Sequence, residues 1–260
     1  MASPTRTVLA LCAHPDDAEF RCGGTLTLLA QRGWKVHVAT LTAGDCGSME
    51  ERSHQIAARR HAEAAAAAAR LGGSYYCLGQ LDLQVFDTNE TRGLATALLR
   101  EVRPDCVLTH YPKDYMPDHD AASAIARVSI FNAPMPNYTV GPSAYLPPLP
   151  GLVPLYYFAT PTGGRDYFGD PVRQRPHFHV DISSVVEQKD QLLACHASQR
   201  EWLRKQHGVD QYMEMMKQYD AKVGREVGLV AAEAFLCHRG EPYPTTPLIQ
   251  EALSDLVRLP

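Results

Sequence analysis

The segment Thr7-Val8-Leu9-Ala10-Leu11-Cys12-Ala13 is apolar at every position after its threonine. A run without a polar face has nothing to offer water on either side. It reads as a strand covered on both faces, the condition of a strand inside a parallel sheet. Parallel neighbours need crossover helices, and strand and helix patterns do alternate downstream. Thr25–Gln31 reads as a helix closed by Gly33, and Lys35–Leu41 as a strand rich in β-branched residues. Met49–Leu71 reads as a helix that stops at Gly72-Gly73, its Ala64–Ala69 run forming a thin face for close packing on a sheet. Tyr75–Leu78 and Asp105–Thr109 read as strands around a helix at Thr91–Val102, which ends near Pro104. Asp118–Ser129 reads as the next helix. Leu155–Thr160 and His177–Asp181 read as strands, Ser183–Gln206 as a helix capped by Ser183 or Ser184, and Gln211–Val223 as another helix. The expected fold class is α/β: a mostly parallel sheet with helices on both faces and an active site at the C-terminal strand ends.

Composition narrows the function classes. Lys+Arg 25 against Asp+Glu 29 leaves a net charge of −4, without the basic surplus a nucleic-acid binder usually shows. No stretch reaches the roughly 18 apolar residues of a membrane span. The opening apolar run passes directly into His14-Pro15-Asp16-Asp17, so it reads as a core strand and not a signal peptide. Seven cysteines are scattered without a C-x-x-C pair, which suits reduced thiols in a cytoplasmic protein. Pro134, Pro136, Pro142, Pro147, Pro148, Pro150 and Pro154 crowd one region. The segment of about 130–175 therefore reads as a lid, or as a substrate or interface region, within a single domain spanning 1–260. Tyr138, Tyr145, Tyr156 and Tyr157 in that segment are expected to be exposed, as a subunit interface or a sugar platform. Association with copies of itself is part of the same expectation.

His14-Pro15-Asp16-Asp17 is the strongest local feature. It lies at the carboxyl end of the first buried strand, where open α/β sheets bind ligands. One imidazole and two carboxylates there suit Zn²⁺. A catalytic zinc takes three protein ligands and one open position, so a third ligand must come from elsewhere. Asp114-Tyr115-Met116-Pro117-Asp118-His119 follows another strand and is the candidate source. Pro and Asp after a strand also make ordinary turns and helix caps, and that reading stands beside the metal one. His37, His54, His61, His207 and His238 have no such partners and read as surface or core residues. Cys46, in the loop Gly44-Asp45-Cys46-Gly47, reads as an inert thiol more readily than as a nucleophile. The chain has no G-x-S-x-G, no G-x-x-x-x-G-K-[ST], no G-x-G-x-x-G and no H-E-x-x-H.

Ala13-His14-Pro15-Asp16-Asp17-Ala18-Glu19 followed by Cys22-Gly23-Gly24-Thr25 resembles the signature of the LmbE-like, PIG-L-type zinc-dependent N-deacetylases. Leu41–Ser48, Arg60-His61-Ala62-Glu63, Asp118-His119, Val180-Asp181-Ile182-Ser183, Cys195–Gln199 and Ala232–Phe235 are similar to later landmarks of that family, in the same order. The resemblance implies a Rossmann-like fold and hydrolysis of an acetamide on an amino sugar or related glycoside. It implies Zn²⁺ held by His14, Asp17 and His119, with Asp16 as general base and Asp118 orienting a ligand from behind. It also exposes a departure: Met116 stands where the family usually has a histidine, and methionine has no proton to donate. His110 is the preferred substitute acid, with His196 or a tyrosine of the 138–167 region as others; Asp16 acting alone is a further possibility. His196 otherwise reads as a pocket or structural residue. Arg60 is expected either to contact substrate or to pair with Glu63 or Glu50 on its helix. Arg165-Asp166-Tyr167 is a plausible pocket rim.

The expected function is thus removal of an N-acetyl group from an N-acetylglucosamine-type substrate. Alternatives are a zinc amidase acting on a thiol conjugate or antibiotic glycoside, or a weakened metal- or carbohydrate-binding homologue. The expected partner is a small molecule, with no nucleic acid and no membrane.

Overall fold

The computed structural model describes residues 5–138, 146–159, 175–207 and 211–260. β1 (Thr7–Cys12) is buried at every position. Val8, Ala10 and Cys12 enter one core and Leu9 and Leu11 the other, so the strand is covered on both faces. Helix α1 (Asp17–Gln31) follows, then β2 (Lys35–Thr42), α2 (Ser53–Arg70), β3 (Ser74–Gln80), α3 (Asn89–Val102), β4 (Cys106–Thr109) and α4 (Pro117–Asn132). After β5 (Leu155–Phe158) and β6 (Phe178–Asp181), a 3-10 turn at Ser183–Val185 leads into α5 (Val186–Leu193). Then come α6 (Ala197–His207), α7 (Gln211–Glu226), β7 (Ala232–Cys237), α8 (Leu248–Ala252) and β8 (Val257–Arg258).

The strands form one sheet in the order β3-β2-β1-β4-β5-β7-β6-β8. The five strands from β3 to β5 are parallel, and β7, β6 and β8 extend the sheet by antiparallel pairing. α1 and α5 supply the core on one face, α3 and α4 the core on the other. The chain leaves β1 toward β2 on one side and returns at β4 on the other. That reversal opens a crevice between the carboxyl ends of β1 and β4. Among the described residues, no helix is long and apolar enough to cross a membrane.

Several boundaries differ from expectation. α1 begins at Asp17, eight residues before Thr25, but kinks at Cys22 (φ −144°, ψ 15°). The kink frees the amides of Gly24 and Thr25, and the Glu233 carboxylate of β7 accepts both at 2.8 Å. A partner 208 residues away thus restores what the Gly-Gly pair weakens. Gly24 is needed there: a β-carbon would lie 2.7 Å from Ile182 Cγ2. Gly24→Ala is expected to destabilise the protein by about 1–3 kcal/mol through overpacking, measurable by urea unfolding.

α2 starts at Ser53 rather than Met49, and its Ala64, Ala67 and Ala68 are buried as a thin face. The expected helix at Ser183–Gln206 is broken at Ala194–His196, and Ser183 does not cap it with its side chain. Instead the Asp181 carboxylate accepts the Ser183 amide. Tyr156 and Tyr157 are not exposed; they lie in β5 at 1% and 6% exposure, because the short strand is covered on both faces. Tyr145 and Arg165-Asp166-Tyr167 lie outside the described residues.

Glu233 also belongs to a buried ionic cluster. Lys189 Nζ of α5 lies 2.8 Å from Asp220 of α7 and 2.8 Å from Glu233, and all three are at most 3% exposed. The cluster ties α1, α5, α7 and β7 together.

Candidate active site

The turn after β1 and the loop after β4 converge at the crevice. The His14 amide donates to Asp17 Oδ2 (2.7 Å), so the carboxylate folds back over the end of β1. Asp16 adopts a left-handed conformation (φ 98°, ψ −22°), one of three such non-glycine residues in the described chain. Strain of this kind persists where surrounding contacts over-determine it. Arg60 of α2 supplies those contacts: its Nη2 donates to Pro15 O (2.7 Å) and lies 3.4 Å from Asp16 Oδ2, while Nη1 donates to Gly44 O. Tyr212 of α7 also hydrogen-bonds Asp16.

His14, Asp17 and His119 each offer a ligand atom, and the three atoms lie within 4.8 Å of one another. His14 Nδ1 is 3.5 Å from Asp17 Oδ2, and His119 Nε2 is 3.4 Å from Asp17 Oδ1. The opposite ring nitrogens face outer carboxylates. His14 Nε2 is 3.2 Å from Asp118, which also accepts the Leu83 amide. His119 Nδ1 is 3.4 Å from Asp114 Oδ2, which lies 3.8 Å from Arg21 Nη2. Carboxylates behind the histidines fix ring orientation and tautomer in metal centres. A second possible set, His110, Asp114 and His119, shares His119. In it, however, His110 Nε2 already receives the Ala13 amide (3.1 Å) and faces Asp17 Oδ2 (3.1 Å).

The two adjacent carboxylates are driven apart. Burial pushes the Asp16 carboxyl up, with the Arg60 charge opposing. Asp17 is also buried, but His119 and His110 overcome that and hold it well below the usual carboxylate range. Such opposed pairs mark acid–base assignments. Burial works against a charged His14, yet hydrogen bonds to Asp118 and Asp17 push it up to about 10. His119, likewise opposed by burial, is carried to about 9 by Asp17 and Asp114. Burial and the neighbouring His119 hold His110 down at about 4. Without a metal, His14 and His119 therefore carry protons at neutral pH. A divalent cation must displace them, so apparent metal affinity is expected to rise with pH from neutrality toward about 10, with protons released on loading. Calorimetry in buffers of different ionisation enthalpy measures that release. Asp114→Asn, which removes the charge behind His119, is expected to weaken metal binding roughly 10–100-fold, read by equilibrium dialysis.

The structure thus brings His14, Asp16, Asp17, His110, Asp118 and His119 together. Arg60 joins them, paired with Asp16 and not with Glu63 or Glu50. Arg59 takes Glu63 and Glu51, and Lys205 takes Glu50. Met116 is half-buried and immediately precedes α4. His196 is fully buried, its Nε2 3.4 Å from Glu19. Arg21, Asp82 and Tyr212 join the site without a signal in the motifs, and Asp114, which the sequence offers only within its Asp114–His119 cluster, stands behind His119. Arg21 stands four residues after Asp17 on α1, a spacing that could have flagged it. Asp82 and Tyr212 give no local signal.

Comparison with known proteins follows the same lines. The PIG-L family model, described as GlcNAc-PI de-N-acetylase, matches residues 9–130. The diacetylchitobiose deacetylase of Thermococcus kodakarensis is 30% identical over 200 residues, covering 75% of this chain and 70% of that protein. The 4-oxalmesaconate hydratase of Pseudomonas putida is 27% identical over 248 residues, covering 92% and 90%. The solved N,N'-diacetylchitobiose deacetylase of Pyrococcus horikoshii superimposes with a TM-score of 0.75 at 25% identity, covering 94% of this chain and 89% of that one. With the His-Pro-Asp-Asp turn and its histidine partner on the same crevice, the chain belongs to the PIG-L family of N-deacetylases.

Proposed function

We propose that this protein is a zinc-dependent N-deacetylase acting on an N-acetylglucosamine-type amino sugar or glycoside. The observation that carries the reading is geometric. His14, Asp17 and His119 bring three ligand atoms within 4.8 Å of one another, while neighbouring Asp16 stays outside that set, held by Arg60 and free to handle protons. The residues fit Zn²⁺: two imidazoles and one carboxylate, each imidazole backed by an outer carboxylate. His14, Asp17 and His119 would hold it. When bound, zinc supplies an acidified water and a Lewis-acid contact for the amide carbonyl.

Asp16 takes the proton of the attacking water at its carboxylate and returns it to the leaving amine. Arg60 and Tyr212 orient it for both transfers. Met116 has no proton to give, so the return step falls to Asp16. His110, enclosed behind Asp17, positions that carboxylate, and His196 with Glu19 supports the wall beneath. A neutral amide suits this pocket. Arg60 and Arg21, the two arginines tied to the site's carboxylates, are engaged with Asp16 and Asp114. The exposed Leu83 and Tyr115 flank the site, Leu83 through its amide to Asp118 and Tyr115 through its ring against His119. Thiol conjugates and antibiotic glycosides are further substrates of the same chemistry. Cytoplasmic location and self-association belong to this reading. Seven free cysteines support the first, and the exposed Leu94 of α3 and Phe131 of α4 support the second.

A second reading, addition of the same water to an activated double bond, is favoured by the similarity to the hydratase across 92% of the chain. One experiment separates them. Zinc-loaded protein is incubated with N-acetylglucosamine, diacetylchitobiose and an unsaturated dicarboxylic acid. Amine release supports deacetylation. Loss of the conjugated absorbance without amine supports hydration. Neither product, with zinc bound, leaves the binding-homologue alternative.

A further inference from the structure

Arg21 lies on α1 one turn beyond Asp17 and carries its guanidinium to the edge of the crevice, toward Asp114. We propose that Arg21 is a specificity-determining residue whose Nη1 binds a carboxylate on the same molecule that presents the amide. The substrate class is then an acidic N-acetylated amino sugar. Its sugar part rests on the deacetylase reading; its carboxylate part does not.

The guanidinium is a donor short of acceptors. The side chain is 8% exposed, and Nη1 is buried with no hydrogen-bond partner. Nη2 lies 3.8 Å from Asp114 Oδ2, too long for a hydrogen bond. Asp114 is committed elsewhere: Oδ1 accepts the Tyr115 amide (2.7 Å), and Oδ2 faces His119 Nδ1 at 3.4 Å. A buried cation whose N–H groups are unpaired is costly, and an anion that reaches it removes that cost.

The side chain is nonetheless held in place. Its Cζ lies 5.6 Å from the centroid of the Phe20 ring, and Phe20 stacks on Tyr212 and Tyr219 of α7. The Arg21 charge acts on Tyr115, His110 and Asp114, which puts it beside the loop after β4 and not on the outer face of α1. Tyr115, 80% exposed, has few packing contacts to lose when a ligand enters. Arg60 cannot serve instead, since Pro15, Gly44 and Asp16 already take its Nη groups. A carboxylate is the anion that fits. Its two oxygens match the planar fork of a guanidinium. Asp114 offsets part of the Arg21 charge, so one negative charge is matched there and the two of a phosphate monoester are not.

The test uses the zinc-loaded full chain and four sugars: N-acetylglucosamine, its 6-phosphate, and two carboxylated relatives, 2-acetamido-2-deoxyglucuronic acid and N-acetylmuramic acid. Amine release gives kcat/KM, and calorimetry on the Asp16→Asn background gives Kd with turnover slowed. The better carboxylated sugar is expected to be preferred over the neutral one by roughly 10–100-fold, the worth of a hydrogen bond to a charged group. The preference should appear in KM and Kd. Arg21→Gln collapses the ratio toward one, whereas a merely structural role would lower both sugars alike and keep it. Arg21→Lys, with the charge but without the fork, retains part of the preference. The wild-type comparison needs no variant to fold. The proposal is overturned if wild type prefers neither carboxylated sugar, if it prefers the phosphate, or if the preference survives Arg21→Gln. If carboxylated sugars bind through Arg21 and no amine is released, the deacetylase reading falls and the carboxylate site stands. If amine is released equally from neutral and carboxylated sugars, the reverse holds.

Discussion

Asp16→Asn is expected to lower turnover by roughly 10²–10⁴, the usual contribution of a positioned general base, while metal content stays unchanged. Two features make this substitution clean. Asp16 is not among the three metal donors, so the amide replaces no ligand. Its backbone sits at φ 98°, where asparagine is among the side chains that tolerate a left-handed conformation best. Asn also keeps an oxygen toward Arg60 Nη2 and Tyr212. What it removes is the ability to take a proton. Turnover and zinc content, measured on the same preparation, decide the outcome. Metal lost along with activity would make Asp16 a ligand. Activity retained would move the base elsewhere, and the split between Asp16 and Asp17 would lose its meaning. Asp16→Val is a useful contrast, because a β-branched residue strains the left-handed position and should cost stability as well.

Lys189→Met is expected to cost about 3–5 kcal/mol of stability, the range for removing one partner of a buried ion pair. For a chain of this size that corresponds to a fall in melting temperature on the order of 10 °C. The lysine is 1% exposed and stands between two buried carboxylates. Methionine matches its length but leaves Asp220 and Glu233 as uncompensated charges. Glu233 retains the amides of Gly24 and Thr25, so Asp220 is the group most exposed to the loss. The double variant Lys189→Met with Asp220→Leu should therefore recover part of the stability. A departure from additivity of about 0.5–3 kcal/mol is the signature of coupled partners. Calorimetry on the three variants tests it; strict additivity would mean the cluster does not act as a unit.

The two experiments probe parts of the molecule that differed in legibility. β1 was readable because its two-faced burial leaves a continuous apolar run, a one-dimensional pattern. The Gly-punctuated ends of α1 and α2 were readable for the same local reason. His14, Asp16 and Asp17 were readable because one turn carries all three. His119 was recognisable because it follows Asp118 in a second compact motif. The start of α1 is not legible locally, because its kink at Cys22 is capped by Glu233, which local propensity cannot see. The antiparallel end of the sheet was only half legible: Ala232–Cys237 and Val257–Arg258 are short, and their strand character comes from pairing with β6.

The amino-acid sequence alone determined the α/β class and the placing of one imidazole and two carboxylates in the turn after the first buried strand. Each of these is set by periodicity or by neighbours within a few positions. Tertiary structure alone decided which partners complete them. Arg60 turns to Pro15 and Asp16 and not along its own helix, Asp114 backs His119, Asp82 sits beside His14, and Lys189 joins two carboxylates from α7 and β7. Charges must find their compensation once water is excluded, and the residue that supplies it is chosen by packing distance, with no regard for distance along the chain.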